Sequence, residues 1–195
     1  MIQRPKIGDF DSGVKIEDLL DSGEFLSRQH KQPKLTDREA QAMRRLQKIG
    51  FQTPQAILQE LVQIVVDFCE ADSAGISLEE VNETGEPQFR WIVVAGSFAR
   101  YLNGTTPRFY SPCGTCVDRG VAQHYQVTHP YYNFLGVSAE PILDGILIPW
   151  HSENMLGTLW AVSHSANDAF DMGDYEFLHK IAVIVSQKIR DHSQI

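Results

Sequence analysis

The chain has 195 residues, of which 43% are hydrophobic and 22% are charged, and its formal net charge is −8. These fractions are typical of a folded globular protein and not of a disordered or membrane chain. The negative charge argues against nucleic-acid binding, which depends on cationic surface. Because no apolar run approaches the ~18 residues that span a bilayer and no secretory leader is visible, we predict a cytoplasmic protein with no membrane contact.

The first 53 residues divide into two segments. Residues 1–34 mix Gly, Asp, Ser and Pro with scattered apolar positions, which predicts a poorly ordered tail. Residues 35–53 form a basic flanking segment with a helix predicted over 36–49, where Thr36 and Glu39 match a capping box. The apolar stripe of this helix is narrow, which favours pairing with one other helix over deep burial. The stripe consists of Met43, Leu46 and Ile49.

Residues 54–195 carry the patterns of a folded domain. Thr53 and Pro54 predict the start of a helix with a broad apolar face. Four later segments alternate with the two-residue period of strands, namely 74–79, 89–95, 142–150 and 155–164. The last two flank a short turn at 152–154, which predicts an antiparallel hairpin. A final helix is predicted after Asp171, its N-terminal cap.

This order of elements predicts an α+β fold. A central antiparallel sheet would carry the N- and C-terminal helices on one face and a long loop and short-helix excursion, residues 96–140, on the other. The alternation in 89–95 predicts that Phe89, Trp91, Val93 and Ala95 share one face, and the opposite face is also largely apolar. Since so long an excursion is usually functional, we expect a small-molecule site between it and the strands.

The most distinctive stretch is 109–120. Ser111 and Pro112 predict a helix start and Gly120 its end. Cys113 and Cys116 have the C-x-x-C spacing of thiol-disulfide oxidoreductases, and a helix N-terminus would lower a thiol pKa. The motif does not follow a strand of a βαβ unit, however, as that redox fold requires. Both interpretations stay open: redox cysteines, or buried packing thiols.

Other chemical motifs are weak. With His124 and His129 the cysteines read C-x2-C-x7-H-x4-H, but the central gap is shorter than the ~12 residues of a zinc finger, so we predict no metal site. No phosphate-binding loop, dinucleotide fingerprint or Gly-x-Ser-x-Gly elbow is present. The odd count of three cysteines predicts no disulfide framework. We therefore expect a protein that is not an enzyme.

Aromatic residues concentrate in the excursion, where they form either a second core or the walls of a pocket for a flat ligand. The sequence does not tell which face of the sheet meets the excursion. The candidate ligand-binding residues lie in the excursion or on the strands beneath it. They are Trp91, Phe98, Phe109, Tyr110, Cys113, Thr115, Cys116, Tyr125, His129, Tyr132, Thr158, Trp160 and His164.

Positions 54–190 resemble a GAF domain, the small-molecule-binding sensory module of bacterial signalling proteins. Within that family, these positions look most like the GAF domains that precede bacterial histidine kinases. It rests on three groups of residues in a fixed order. These are 109–115 with Asp118 and Arg119, Ile146–Pro149 leading to Leu156–Trp160, and His164 followed by Phe170, Asp171, Asp174 and Leu178.

Two departures from the family limit what the resemblance implies about a ligand. Cyclic-nucleotide-binding members carry a Glu where this chain has Tyr175, and an upstream Asn-Lys pair that is missing here. Bilin-binding members attach the chromophore through a Cys usually followed by His, whereas Cys113 and Cys116 are followed by Gly and Val. The cofactor or ligand is therefore unknown.

The resemblance implies a non-enzymatic sensor that acts through a partner. We expect a homodimer formed by the helices 36–49 and 172–193, with ligand ordering of 97–139 shifting both. No output module follows position 195 in this sequence, so a separate kinase or other signalling protein is the expected partner. Two alternatives remain: a thiol-redox protein using Cys113 and Cys116, and a GAF-type scaffold that binds proteins without a ligand.

Overall fold

The computed structural model describes residues 7–8, 12–28, 40–42, 44–45, 48, 53–153 and 155–190. The strands are β1 (Val14–Asp18), β2 (Ser73–Val81), β3 (Pro87–Gly96), β4 (Thr105–Pro107), β5 (Gln123–Val127), β6 (Asp144–Ser152) and β7 (Met155–Ser163). The α-helices with assigned bounds are α1 (Gly23–Leu26), α2 (Pro54–Cys69), α3 (Pro112–Arg119), α4 (His129–Leu135) and α5 (Met172–Arg190). The strands form one sheet in the order β1-β5-β6-β7-β2-β3-β4, with antiparallel pairing throughout. The predicted α+β fold is confirmed.

Helices α2 and α5 pack side by side on one face of the sheet, as predicted. Their contact includes the stacked rings of Phe68 and Phe177, whose centroids lie 3.6 Å apart. Both helices start at the predicted caps: Thr53 Oγ1 accepts a hydrogen bond from the first turn of α2, and Asp171 Oδ1 accepts one from the first turn of α5. The excursion covers the opposite face, so the sheet separates two apolar layers.

A bulge in β3 changes the predicted facing of its residues. The register of β2 against β3 shifts after Ile76, which pairs with Val93, because the next residue of β2 pairs with Trp91. The extra residue reverses the alternation of the strand. Trp91 packs with the layer under the excursion, whereas Val93 and Ala95 belong to the core under the helices. The expectation that these residues share one face is therefore wrong.

Residues 12–28 are folded, which corrects the prediction of a poorly ordered tail for this part of 1–34. Strand β1 pairs along its whole length with β5, from Val14 opposite Val127 to Asp18 opposite Gln123. Phe25 is fully buried in the helix-side core. The prediction missed this because the strand is short and stands between turn-forming residues, and because β5 supplies its hydrogen bonds from more than 100 positions away.

The excursion contains short helices and strands, one of which becomes part of the sheet. Helix α3, strand β5 and helix α4 follow one another within it, and β5 joins the sheet between β1 and β6. No long periodic pattern marks them, in keeping with their lengths of five to eight residues.

The predicted flanking helix 36–49 is described only in part. Residues 40–42, 44–45 and 48 are helical, and Arg45 forms ion pairs with Glu60 and Asp67 of α2. The capping-box residues Thr36 and Glu39 lie outside the described residues. So do the stripe residues Met43, Leu46 and Ile49, and the predicted pairing of this helix in a dimer stays a prediction. Within the described residues, no helix combines the length and apolar character needed to cross a lipid bilayer.

Candidate functional site

A cavity of about 160 Å³ lies between the sheet and the excursion. Strands β3, β5 and β7 supply its floor through Trp91, Tyr125 and Trp160, and helices α3 and α4 contribute Cys113 and Tyr132. The remaining lining residues are Phe98, Tyr101, Gly104, Thr105, Thr106, Pro112, Val127, Tyr131, Leu135, Val137, Ala139, Ile142 and Val162.

Two glycines allow aromatic rings to lie directly against the sheet backbone. A Cβ atom at Gly75 would stand 2.3 Å from Cζ2 of Trp160, and one at Gly145 would stand 2.5 Å from Cε1 of Tyr125. Trp160 in turn packs against Trp91, with ring centroids 5.0 Å apart. The cavity therefore has an aromatic floor that depends on the missing side chains of the glycines.

Helix α3 is fixed over this floor by its caps and by one arginine. Ser111 Oγ accepts a hydrogen bond from the amide three positions later, and Gly120 ends the helix with φ +67°, both as predicted. Arg108, which is buried, donates to Glu79 of β2 at 2.8 Å and to Asp118 of α3 at 2.6 Å. Because these ion pairs link helix to strand, α3 belongs to the rigid part of the site.

The two cysteines of α3 are buried thiols. Cys113 Sγ donates to Ser77 Oγ at 3.7 Å and accepts from Thr158 Oγ1 at 3.3 Å, and Ser77 Oγ also accepts from Trp160 Nε1 at 3.1 Å. Burial raises the pKa of Cys113 and raises that of Cys116 well above its usual value. Both sulfurs are therefore protonated thiols at neutral pH, the form that is a poor nucleophile.

Three residues that line the cavity each carry a buried polar atom with no hydrogen-bond partner within the described part of the chain. These atoms are Nε1 of Trp91, Oγ1 of Thr106 and the hydroxyl of Tyr132, all buried. A buried polar atom without a partner costs free energy on the order of 1–3 kcal/mol. Because these atoms are closed off from a water-sized probe, they lie in the packing behind the cavity surface.

The cavity wall is uncharged. The lining residues, all in the described part of the chain, include no Asp, Glu, Lys, Arg or His. Burial also raises the pKa values of Tyr125, Tyr131 and Tyr132, so these phenols stay neutral at physiological pH.

Charged groups stand at the rim instead. Arg100 donates to both carboxylate oxygens of Glu140, and Tyr101 donates its hydroxyl to the carbonyl oxygen of Ser138 at 2.7 Å. These contacts join the 3-10 turn Ser97–Tyr101 to the segment after α4, and both segments contribute lining residues. The rim is thus held by one exposed ion pair and one neutral hydrogen bond.

No protein-family profile and no curated protein sequence matches the chain. Solved structures do match it. The free methionine-R-sulfoxide reductase of Neisseria meningitidis, in complex with its substrate, aligns with a TM-score of 0.63 at 17% identity, over 86% of this chain and 96% of its own. The GAF domain of an Acinetobacter phosphoenolpyruvate-protein phosphotransferase aligns with a TM-score of 0.59 at 14% identity, over 84% of this chain and 98% of its own. The phycoerythrobilin-bound GAF domain of a cyanobacterial phytochrome gives 0.56 at 12% identity, over 81% and 97%.

The chain has the GAF fold. At these identities the likeness concerns the fold, and it includes the GAF domains of a phosphotransferase and of a phytochrome as well as a reductase. The function of the cavity in this GAF fold therefore has to be inferred from the residues of this chain.

Part of the predicted pocket set lines the cavity of the GAF fold. These residues are Trp91, Phe98, Cys113, Tyr125, Tyr132 and Trp160. Three further residues of the predicted set are buried but do not line the cavity, namely Tyr110, Cys116 and Thr158. Their role as ligand contacts stays a prediction.

The other predicted pocket residues lie away from the cavity. Phe109 is 80% exposed, and the guanidinium of Arg108 packs on its ring. Thr115 donates to the carbonyl of Ser111 within α3, and His129 is exposed at the start of α4. His164 packs against Phe98, with ring centroids 4.3 Å apart, but is not among the lining residues.

Several lining residues were not among the predicted set. Tyr131 had a visible signal, since it stands beside Tyr132 in an aromatic run. Thr106 had none, because its strand is three residues long and its neighbours are polar or proline. Only the pairing of β4 with β3 places Thr106 beside Phe89 and hence near the cavity.

No group of three His, Cys, Asp or Glu side chains in the described ranges is arranged to hold a metal ion. His124 is engaged elsewhere: its Nε2 lies 2.8 Å from Oδ1 of Asp144, in a buried cluster under β1.

Proposed function

We propose that this protein is a sensory GAF module that binds a small molecule in the aromatic cavity. The observation that carries the proposal is the cavity itself, which has an aromatic floor and no charged side chain among its lining residues. Rings arranged in this way favour a planar ligand through stacking and edge contacts.

Strands β6 and β7 connect the cavity to the helices on the opposite face of the sheet, so that a structural change on ligand binding can reach those helices. Leu147 of β6 and Trp160 of β7 face the cavity layer, while Ile146 and Leu159, their neighbours in the same strands, pack under α2 and α5. Because interiors are close-packed, a shift of the cavity-side residues moves the strands that carry α5. We propose that a partner protein, or a second copy of the chain, reads this movement.

A second candidate function is thiol-dependent reduction at Cys113. It is favoured by the position of Cys113 in the cavity wall and by the likeness to the Neisseria reductase. The raised pKa of Cys113 works against it, because a thiol nucleophile acts as the thiolate. The binding function therefore has the better support.

A native co-purification experiment tests the binding function. The wild-type chain and the variant Ala139→Trp, which places an indole in the cavity from a loop position, are purified in parallel without denaturation, and the extracted small molecules are compared by mass spectrometry. We expect a compound that is retained by the wild type and lost in the variant. The absence of any difference, together with no thermal shift of the wild type in a fragment screen, would contradict the binding function.

An activity assay separates the second candidate. Free methionine sulfoxide is incubated with the protein and dithiothreitol, with Cys113→Ser as the control. We expect both proteins to leave the sulfoxide unchanged. Turnover by the wild type that Cys113→Ser abolishes would replace the sensor by a reductase.

A further inference from the structure

We propose that residues 137–140 form a flap over the mouth of the cavity, and that two contacts with the turn Ser97–Tyr101 hold this flap shut. The biological importance of the flap rests on the proposed binding function, because the flap controls how a ligand enters and leaves. The opening movement itself requires no ligand, so the flap and the binding function can be tested separately.

The exposure of the lining residues shows where the cavity opens. Its floor residues Tyr125 and Trp160 are buried. The exposed lining residues belong to two other stretches of chain: Thr105 follows the turn Ser97–Tyr101, and Val137, which is 48% exposed, follows α4. A small molecule therefore reaches the floor by passing between these two stretches.

The flap is anchored at both of its ends. At the first end Gly136 closes α4 with φ +69°. At the other end Ile142 exchanges two backbone hydrogen bonds with Val127 of β5, at 2.8 and 2.9 Å. Between these anchors, the described chain shows no hydrogen bond from a backbone group of 138–140 to another backbone group. The flap can therefore move about its ends without breaking α4 or the sheet.

Two contacts hold the flap to the turn, and we call them the latch. Arg100 donates to both carboxylate oxygens of Glu140, and the Tyr101 hydroxyl donates to the carbonyl oxygen of Ser138. The guanidinium of Arg100 lies over the Tyr101 ring, 4.9 Å from its centroid, so the turn presents both contacts from one packed unit. The ion pair is exposed, with side-chain exposures of 54% and 45%, and exposed ion pairs stabilise little. The latch is therefore weak enough to open while the rest of the fold stays intact.

The apolar contacts of the flap are small. Val137 lines the cavity but remains half exposed, and Ala139 has only a methyl group to pack against the cavity-side layer. Hydrophobic stabilisation grows with the apolar area that is buried, so these two residues hold the flap only weakly. The balance between the open and closed flap is therefore set in large part by the latch.

Cys113 reports on opening without any ligand, because it lies in the cavity wall and is buried. The folded chain is incubated at pH 8 with N-ethylmaleimide, a small uncharged thiol reagent, and the labelling rate of each cysteine is measured by mass spectrometry of peptide fragments. Cys69 and Cys116 are internal controls. Both are buried but neither lines the cavity, so their labelling requires a larger opening of the fold.

Substitutions in the latch should speed the labelling of Cys113 and leave that of Cys69 unchanged. We expect an increase of about threefold in Arg100→Gln, about fivefold in Tyr101→Phe and about tenfold or more in the double variant, as the loss of an exposed ion pair and of one hydrogen bond implies. Lys15→Gln is the matched control and should label like the wild type. Its ion pair with Glu24 has nearly the same exposure, 55% and 49%, but neither residue lines the cavity.

Salt gives the same test without a substitution. Raising NaCl from about 0.1 M to about 1 M screens exposed ion pairs and should speed Cys113 labelling of the wild type about twofold. Arg100→Gln should show no such increase, because it has no ion pair to screen. The rate at Cys69 corrects for any effect of salt on the reagent. Since the wild type is measured by itself, this arm stands even if a variant does not fold.

Two results would overturn the inference. If Cys113 is labelled equally slowly in the wild type, in Tyr101→Phe and in the double variant, the cavity does not open at the latch. If Cys69 is accelerated together with Cys113, the substitutions loosen the whole fold and there is no separate flap. Either result leaves the binding function to the co-purification experiment, whereas faster labelling of Cys113 alone supports the flap even if no compound is co-purified.

Discussion

Tyr131 and Tyr132 are neighbours in the chain, yet their hydroxyls have opposite surroundings. The hydroxyl of Tyr131 donates to the carbonyl of Tyr110 at 2.9 Å, whereas that of Tyr132 is buried without a partner in the described residues. Tyr131→Phe should lower the free energy of unfolding by about 1 kcal/mol, the typical net value of a hydrogen bond. Tyr132→Phe should leave it unchanged or raise it, because the variant removes a desolvated group.

Urea unfolding of the two variants and the wild type, without added ligand, measures the difference. An equal loss of stability in Tyr132→Phe would mean that its hydroxyl has a partner after all.

The thiols and phenols of the site predict how stability depends on pH. Burial raises the pKa of Cys113 above its usual 9.0 and those of Tyr125 and Tyr131 well above their usual 10.0. As the pH rises past these usual values, the unfolded chain releases protons that the folded chain retains. The contribution of these protonated groups to the free energy of unfolding is therefore fully present below about pH 9, and it is lost progressively as the pH rises above that value.

Urea unfolding at pH 7, 9 and 10 checks this direction. At pH 8 the folded protein should react slowly with iodoacetamide, whereas the unfolded chain should be alkylated at its three cysteines. Rapid alkylation of Cys113 in the folded state would instead favour the thiol-reductase candidate.

At the scale of elements, the sequence predicted those helices and strands that have long periodic patterns or strong caps. Helices α2 and α5, the hairpin of β6 and β7, and the start and end of α3 were all found from local signals. Strands β1, β4 and β5 were missed, because each has at most five residues and is defined by its partners. The bulge at β3 was also invisible, since it depends on the register with β2.

The residues of the site divide in the same way, into those with a local sequence signal and those that only their spatial neighbours define. Trp91, Tyr125 and Trp160 were predicted because large aromatic residues on strands are conspicuous, while Thr106 and the glycines under the rings were missed. The importance of Gly75 and Gly145 comes from what lies against them in space, which a local pattern does not contain. Predicting that a pocket exists was easier than predicting its shape.

Gly75 provides the test at this scale. In Gly75→Ala the new Cβ would lie 2.3 Å from Trp160 Cζ2 and 2.7 Å from the carbonyl oxygen of Val93, so the ring must leave its place. Overpacking of this kind costs about 1–3 kcal/mol. Gly23→Ala in α1 is the matched control, because its Cβ would meet nothing within 4 Å, and it should stay close to the wild type.

Thermal unfolding and the Trp160 indole N–H signal report the two effects of Gly75→Ala. We expect a lower melting temperature and a displaced Trp160 signal, since its bond to Ser77 depends on the ring position. A Gly75→Ala protein as stable as Gly23→Ala would show that Trp160 does not rest on the sheet.

At the scale of the whole molecule, one buried cluster joins residues distant in sequence. Asp144 is fully buried on β6, and its Oδ2 accepts hydrogen bonds from Arg28 at 2.7 Å and from the amide of Phe170 at 3.0 Å. Its Oδ1 lies 2.8 Å from His124 on β5. The cluster therefore connects the segment after α1, the sheet and the loop that leads to α5.

Removing Asp144 should loosen all three parts together. Asp144→Ala leaves the largely buried guanidinium of Arg28 with the longer contact to the half-exposed Glu24, at 3.5 Å, and breaking a buried pair costs about 3–5 kcal/mol. Lys15→Ala, which removes the exposed ion pair with Glu24, should change little. Hydrogen–deuterium exchange should show faster exchange in β1 and β5 of Asp144→Ala and unchanged exchange in α2, which lies outside the cluster. Uniformly faster exchange in every element would instead mean that the cluster stabilises the fold only globally, without holding residues 12–28 to the sheet.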